Sequence, residues 1–187
     1  MRVLGIDPGS RLTGWGVVEV RRGAFHHVAS GTIPLRVSDP LGFRLAHLHA
    51  ECLRLLAAWT PAAVVLERAF VARNVQSAFR LGEARGAVLA AAGSNRTALH
   101  EYAPATVKLA AVGYGQADKR AVGRGVAMRL ALPAPPAPDA ADALALALCH
   151  LHHAPLADQI NRAVSGSVAS ARTRGGNSGA RTRGGFI

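Results

Sequence analysis

Four acidic residues have types and spacing suited to chemistry. Asp7 closes the apolar run Val3-Leu4-Gly5-Ile6, Glu67 closes a second apolar run that starts at Ala62, and Asp139 and Asp142 follow a proline-rich stretch three residues apart. An i, i+3 spacing puts the last two on one face of a helix. Acids at two strand ends and on one helical face can converge on one spot. Four carboxylates brought together raise one another's pKa and resist burial unless a cation neutralises them. Oxygen-only ligands suit Mg2+, with Mn2+ as a substitute, rather than zinc. Two such ions would activate a water and stabilise the departing oxygen in an in-line phosphodiester cleavage. A single strand-end acid is usually a solvated cap, so the reading rests on the four together.

Other reactive side chains carry less. His150, His152 and His153 do not share one face of a helix, so a polar helix end explains them better than a metal site. Cys52 and Cys149 lie far apart in apolar, helical stretches. Their spacing fits neither a zinc knuckle nor a disulfide framework and predicts buried free thiols.

The acids need elements to place them. Residues 2–7 form a short apolar strand followed by the turn residues Pro8, Gly9 and Ser10. Strands over 13–20 and 24–35, joined by a hairpin turn at Arg22-Gly23, complete an antiparallel meander. From Asp39 the period becomes helical, with Leu41, Leu45, Leu48, Cys52 and Leu55 on one stripe that ends before Pro61. Residues 62–67 then return as a buried strand parallel to the first after a helical crossover, which puts Asp7 and Glu67 at one edge of the sheet. A helix over 74–92 carries Gly82, Gly86 and Ala90 four residues apart. Each glycine weakens a helix by roughly 1 kcal/mol relative to alanine, so close backbone packing is expected along that stripe, within the chain or between two copies. A strand over 98–102, a helical turn opened by Pro104 and a helix capped by Asp118 and running to Leu130 follow. Pro133, Pro135, Pro136 and Pro138 make a stiff connector to a last helix, from Asp139 to about His153.

Charge points to the partner. The chain has 22 basic and 11 acidic residues, a formal charge of +11, and all but two of the basic residues are arginines. That balance favours a phosphate-rich partner. Five arginines (Arg162, Arg172, Arg174, Arg181 and Arg183) fall in a C-terminal segment of Ser, Gly, Ala and Arg, and the remainder stays basic without them. Residues 1–156 are expected to form one α/β domain. Residues 157–187 are expected to be a disordered basic tail, because they lack the apolar surface to offset ordering entropy, and to add salt-screened, non-specific DNA attraction. No apolar run is long enough to span a bilayer and no signal peptide is evident, so a soluble, cytoplasmic protein without a membrane partner is expected.

Three separated motifs together resemble a known family. Gly5-Ile6-Asp7-Pro8-Gly9 with Thr13-Gly14-Trp15-Gly16, Leu66-Glu67-Arg68 with Phe70 and Ala72-Arg73-Asn74, and Asp139-Ala140-Ala141-Asp142-Ala143-Leu144-Ala145 are similar, in order and spacing, to the RuvC Holliday-junction resolvases. The resemblance runs from Met1 to about His153. It implies an RNase H-like fold with a mixed five-stranded sheet flanked by helices. It also implies a homodimer that makes paired symmetric nicks in four-way junction DNA during recombination and repair, working with a RuvA/RuvB branch-migration complex. By the same resemblance Asp7, Glu67, Asp139 and Asp142 are the metal-binding, catalytic acids, expected to hold two Mg2+ per site; some relatives carry histidine where Asp139 stands. It places Phe70 against junction bases, where aromatic contact is worth about 1–3 kcal/mol. Arg68, Arg73 and Asn74 share its turn. Lys108 and Lys119, the only lysines, match family lysines that contact phosphate or offset developing charge, with Arg120 beside the second. Gly5 to Ser10 also resembles the first phosphate loop of actin-like phosphotransferases, but the second glycine-rich loop those enzymes need is missing from the sequence. A junction-binding protein without catalysis would be expected to have lost acids, and all four positions are filled.

Overall fold

Two glycine-bearing strands set the centre of the sheet. β1 (Arg2–Asp7) pairs antiparallel with β2 (Leu12–Arg21), bringing Val3 opposite Val18, Gly5 opposite Gly16 and Asp7 opposite Gly14. β3 (Ala24–Pro34) completes the meander through Arg22 and Gly23, both at positive φ (50° and 80°). Two left-handed residues are what a tight hairpin turn between right-twisted strands requires. The computed structural model describes residues 1–68 and 75–153. β4 (Ala63–Glu67) lies parallel to β1 on its other side, and β5 (Ala98–Tyr102) lies parallel to β4, giving the order β3-β2-β1-β4-β5. This is the mixed five-stranded sheet that the motifs imply.

The helices divide between the two faces. Side chains alternate along each strand, so Leu4, Ile6, Val17, Val64 and Leu66 share one face. They pack with α1 (Leu41–Trp59) and α2 (Val75–Ser94) through Leu48, Cys52, Leu55, Leu56, Ala84, Val88, Ala91 and Ala92. The apolar stripe of α1 is buried only from Leu48 onward; Leu41, in its first turn, is 40% exposed. Val3, Val18 and Val65 share the opposite face and pack with α3 (Pro104–Val112), α4 (Lys119–Arg129) and α5, described over residues 138–153. Asp118 caps α4 by accepting a hydrogen bond from the Ala121 amide at 2.6 Å, as its position before the helix predicts. Both cysteines are buried thiols, not joined in a disulfide.

Met1–His152 form one compact unit. The expected boundary at 156 and the tail over 157–187 lie outside the described residues. No helix among the described residues is long and apolar enough to cross a membrane.

Candidate active site

The face that carries Gly5, Gly14 and Gly16 also carries Asp7, which follows Gly5 by two on β1 and stands opposite Gly14. Continuing the β1–β4 register, Gly5 opposite Val65, by two residues sets Asp7 level with Glu67 on that same face. Two acids thus stand side by side where adjacent parallel strands end. The turn after Asp7 is held by Thr13, which is fully buried and accepts a hydrogen bond from the Gly9 amide at 3.3 Å.

The three glycines explain why the second pair of acids comes so close. A Cβ at Gly5 would collide with the Ala143 carbonyl, one at Gly14 with the Asp139 carbonyl, and one at Gly16 with the Leu144 side chain. α5 therefore lies directly on bare sheet backbone, its first turns pressed over the ends of β1 and β2. Asp142 faces Asp7 and Glu67 from above. Asp139 stands over Gly14, at the rim nearest β2.

Electrostatics shows how tightly the acids are grouped. Burial first, then the charges of Asp142 and Glu67, push the Asp7 carboxyl up to about 7. Glu67 is also raised, by burial and then by Asp142. Asp139 acts on Asp7 more weakly than either partner, so it is the outlying member. Two cations answer the cluster. Lys119 Nζ lies 3.2 Å from Asp142 Oδ2, and that carboxylate raises the lysine's pKa. Lys108, half-buried on α3, draws Glu67 downward. Arg120 is exposed beside Lys119 on α4, and Arg68 is exposed just past β4, its amide bonded to the Tyr102 carbonyl at 2.8 Å. Phe70, Arg73 and Asn74 lie outside the described residues.

No group of three or more His, Cys, Asp or Glu side chains among the described residues is arranged to hold a metal ion as it stands. The carboxylates are nevertheless close enough to perturb one another, and Lys119 occupies one of them. Repulsion holds such a set apart until a cation draws it in. An all-oxygen donor set with an acid raised to about 7, first by burial and then by neighbouring carboxylates, suits a hard divalent ion.

Three features escaped the sequence reading. The glycine ladder was visible as residues, but its purpose depends on where α5 lands. Arg85, on α2, donates to the Glu67 carbonyl at 2.6 Å and pairs with Glu101. His150, expected at a polar helix end, is 5% exposed; its Nδ1 lies 3.0 Å from the Tyr102 hydroxyl and its ring 4.4 Å from that of His100. It ties α5 to β5.

Comparison with known proteins agrees with this geometry. Residues 3–150 match the family described as crossover junction endodeoxyribonuclease RuvC. The RuvC of Alkalilimnicola ehrlichii is 49% identical over 162 residues, covering 87% of this chain and 98% of that protein. A Thermus thermophilus RuvC structure superposes with a TM-score of 0.77 at 35% identity, covering 84% of this chain and 97% of that one. T. thermophilus RuvC in complex with Holliday junction substrate superposes with a TM-score of 0.76 at 33% identity, over 83% of this chain and 96% of the other.

Proposed function

Because the chain belongs to the RuvC family of crossover junction endodeoxyribonucleases, whose nucleases are metal-dependent, we propose that it resolves four-way DNA junctions with Asp7, Glu67, Asp142 and Asp139 as its metal-holding acids. The observation that carries this is the grouping of Asp7 and Glu67 on one sheet face with Asp142 of the overlying α5, where burial first and then the charges of Asp142 and Glu67 raise Asp7 to about 7.

Each residue has a distinct part. Asp7 and Glu67, fixed by strand ends, form the rigid half of the ligand set. Asp142 closes it from α5, and Asp139 at the rim contributes least. Two Mg2+ ions, or Mn2+ in their place, would supply a water activated for attack and stabilisation of the departing oxygen. Lys119 pairs with Asp142; with that carboxylate holding a metal ion, its ammonium would be free to offset charge on the scissile phosphate. Lys108 does the same from the Glu67 side. Arg68 and Arg120 flank the acids with exposed guanidiniums that can grip neighbouring phosphates. Phe70 is assigned to junction bases by the family resemblance, with Arg73 and Asn74, close by in sequence, as further DNA-contacting residues.

Paired nicks need two sites, and α2 supports a homodimer. Val75 and Phe79 are 66% and 68% exposed there, and a Cβ at Gly82 or Gly86 would meet nothing within 4 Å among the described residues. Packing among the described residues therefore does not account for those glycines. A cytoplasmic setting and cooperation with a RuvA/RuvB complex complete the proposal.

The test is a synthetic four-way junction incubated with the protein, with and without Mg2+. Wild type should make paired symmetric nicks only with the metal, and Asp7→Asn should bind the junction but leave it intact. Binding without nicking by the wild type in either Mg2+ or Mn2+ would overturn the proposal.

A further inference from the structure

Glu67 is gripped from both sides of the sheet. Its side chain points to the α5 face, towards Asp7 and Asp142, while its backbone carbonyl accepts a hydrogen bond at 2.6 Å from Arg85 Nη1. Arg85 belongs to α2, which packs on the opposite face. Its Nη2 pairs with Glu101 on β5, the neighbour of Tyr102, which stands opposite Glu67 in the parallel ladder. The Arg85 side chain is only 12% exposed. A guanidinium so enclosed is costly unless its donors are used, and its planar fork reaches two acceptors with fixed geometry. Here one arm holds the last peptide of β4 and the other holds β5 beside it.

We infer that Arg85 is a positioning residue for Glu67: its fork fixes the end of β4 and so keeps the Glu67 carboxylate on the face it shares with Asp7, among the acids that would hold a divalent ion. The inference rests on the reading of Glu67 as a metal ligand. A strand end is otherwise the place where a chain frays. β4 has only five residues, and Glu67 is its last. The Arg68 amide bond to the Tyr102 carbonyl secures the β5 side of that end, and the Arg85 bond secures the peptide from below. Partners that orient a ligand from behind typically change metal affinity or activity by roughly 10- to 100-fold when removed. Lysine cannot replace the fork, because a single ammonium presents no planar pair of donors to a carbonyl and a carboxylate at once. Glu101 carries the smaller share, since its loss leaves the arm on Glu67 in place.

The test measures Mn2+ binding to the DNA-free protein by calorimetric titration, alongside junction binding without metal and the Mg2+ concentration that half-saturates nicking. Variants are Arg85→Ala, Arg85→Lys, Glu101→Gln and, as reference, Glu67→Gln. Metal affinity should fall roughly 10- to 100-fold in Arg85→Ala, about as far in Arg85→Lys and by less in Glu101→Gln. Half-saturating Mg2+ should rise in step, with junction binding within about twofold of wild type, a pattern that general loss of stability does not produce. If Arg85→Ala does not fold, Arg85→Lys and Glu101→Gln decide: unchanged Mn2+ affinity in both overturns the proposal. Wild-type titration in a folded Arg85→Ala, while Glu67→Gln loses the metal, overturns the role of Arg85 alone. Wild-type titration in Glu67→Gln overturns the ligand reading beneath it.

Discussion

Asp7 has a carboxyl raised to about 7 from 3.8, first by burial, then by Asp142 and Glu67, with Lys119 opposing and Asp139 adding a little. An acid whose pKa rises on folding binds its proton more tightly in the folded chain. Its contribution is therefore fully present below the unfolded pKa and is lost as pH climbs from about 4 through about 7. The metal-free protein should lose thermal stability over that window, and Asp7→Asn should flatten the slope and melt higher than wild type at neutral pH. Calorimetric melting at several pH values without metal checks this; a wild-type slope in Asp7→Asn would place the titrating group elsewhere. Protons and metal compete for the same oxygens, so more Mg2+ should be needed below pH 7. The placement of these acids was legible because Asp7 and Glu67 each end an apolar run, and such runs form buried strands. Arg85 was not. Among 20 arginines nothing local distinguishes it, and its two acceptors lie 18 residues before and 16 residues after it.

Gly5, Gly14 and Gly16 show how an element is placed by what a strand lacks. Glycine inside a strand weakens it, and three on adjacent strands need a compensating gain. That gain is α5, seated on bare backbone, with Asp139 and Asp142 in its opening turns. Gly14→Ala should push the start of α5 off the sheet, because the new methyl would collide with the Asp139 carbonyl. Junction nicking should fall at least tenfold with junction binding largely kept, and melting should drop by the roughly 1–3 kcal/mol typical of overpacking. Full activity in Gly14→Ala would mean that α5 does not need this seat. At this scale the sequence predicted the strands and the other helices to within a few residues, but only a helical turn where α3 runs over nine residues. Periodicity and caps carry such information locally, as Asp118 illustrates, whereas the seating of one element on another is a long-range property. His150 makes the same point. Its spacing from His152 and His153 suggested a polar helix end, whereas the contact of α5 with β5 buries it against Tyr102 and His100.

One copy of the chain has one cluster of acids, whereas resolution of a junction requires two symmetric cuts, so assembly decides the outcome of the chemistry. The formal charge of +11 draws the protein to DNA at long range but does not pair the cuts, since such attraction acts alike on a duplex and a junction. Pairing needs a surface on which two copies meet with their sites held apart. α2 offers exposed Val75 and Phe79 beside Gly82 and Gly86, where backbone could approach backbone. The same glycines cost the isolated helix roughly 0.5–1 kcal/mol each. Gly82→Gln combined with Gly86→Gln separates the two effects. Among the described residues of one chain the new side chains find open space, and glutamine is a better helix former, so the folded unit should melt no lower than wild type. Between copies they would hold the backbones apart, so sedimentation equilibrium should show a shift to monomer and junctions should accumulate single nicks. A double variant that stays dimeric and still cuts in pairs would move the interface away from α2.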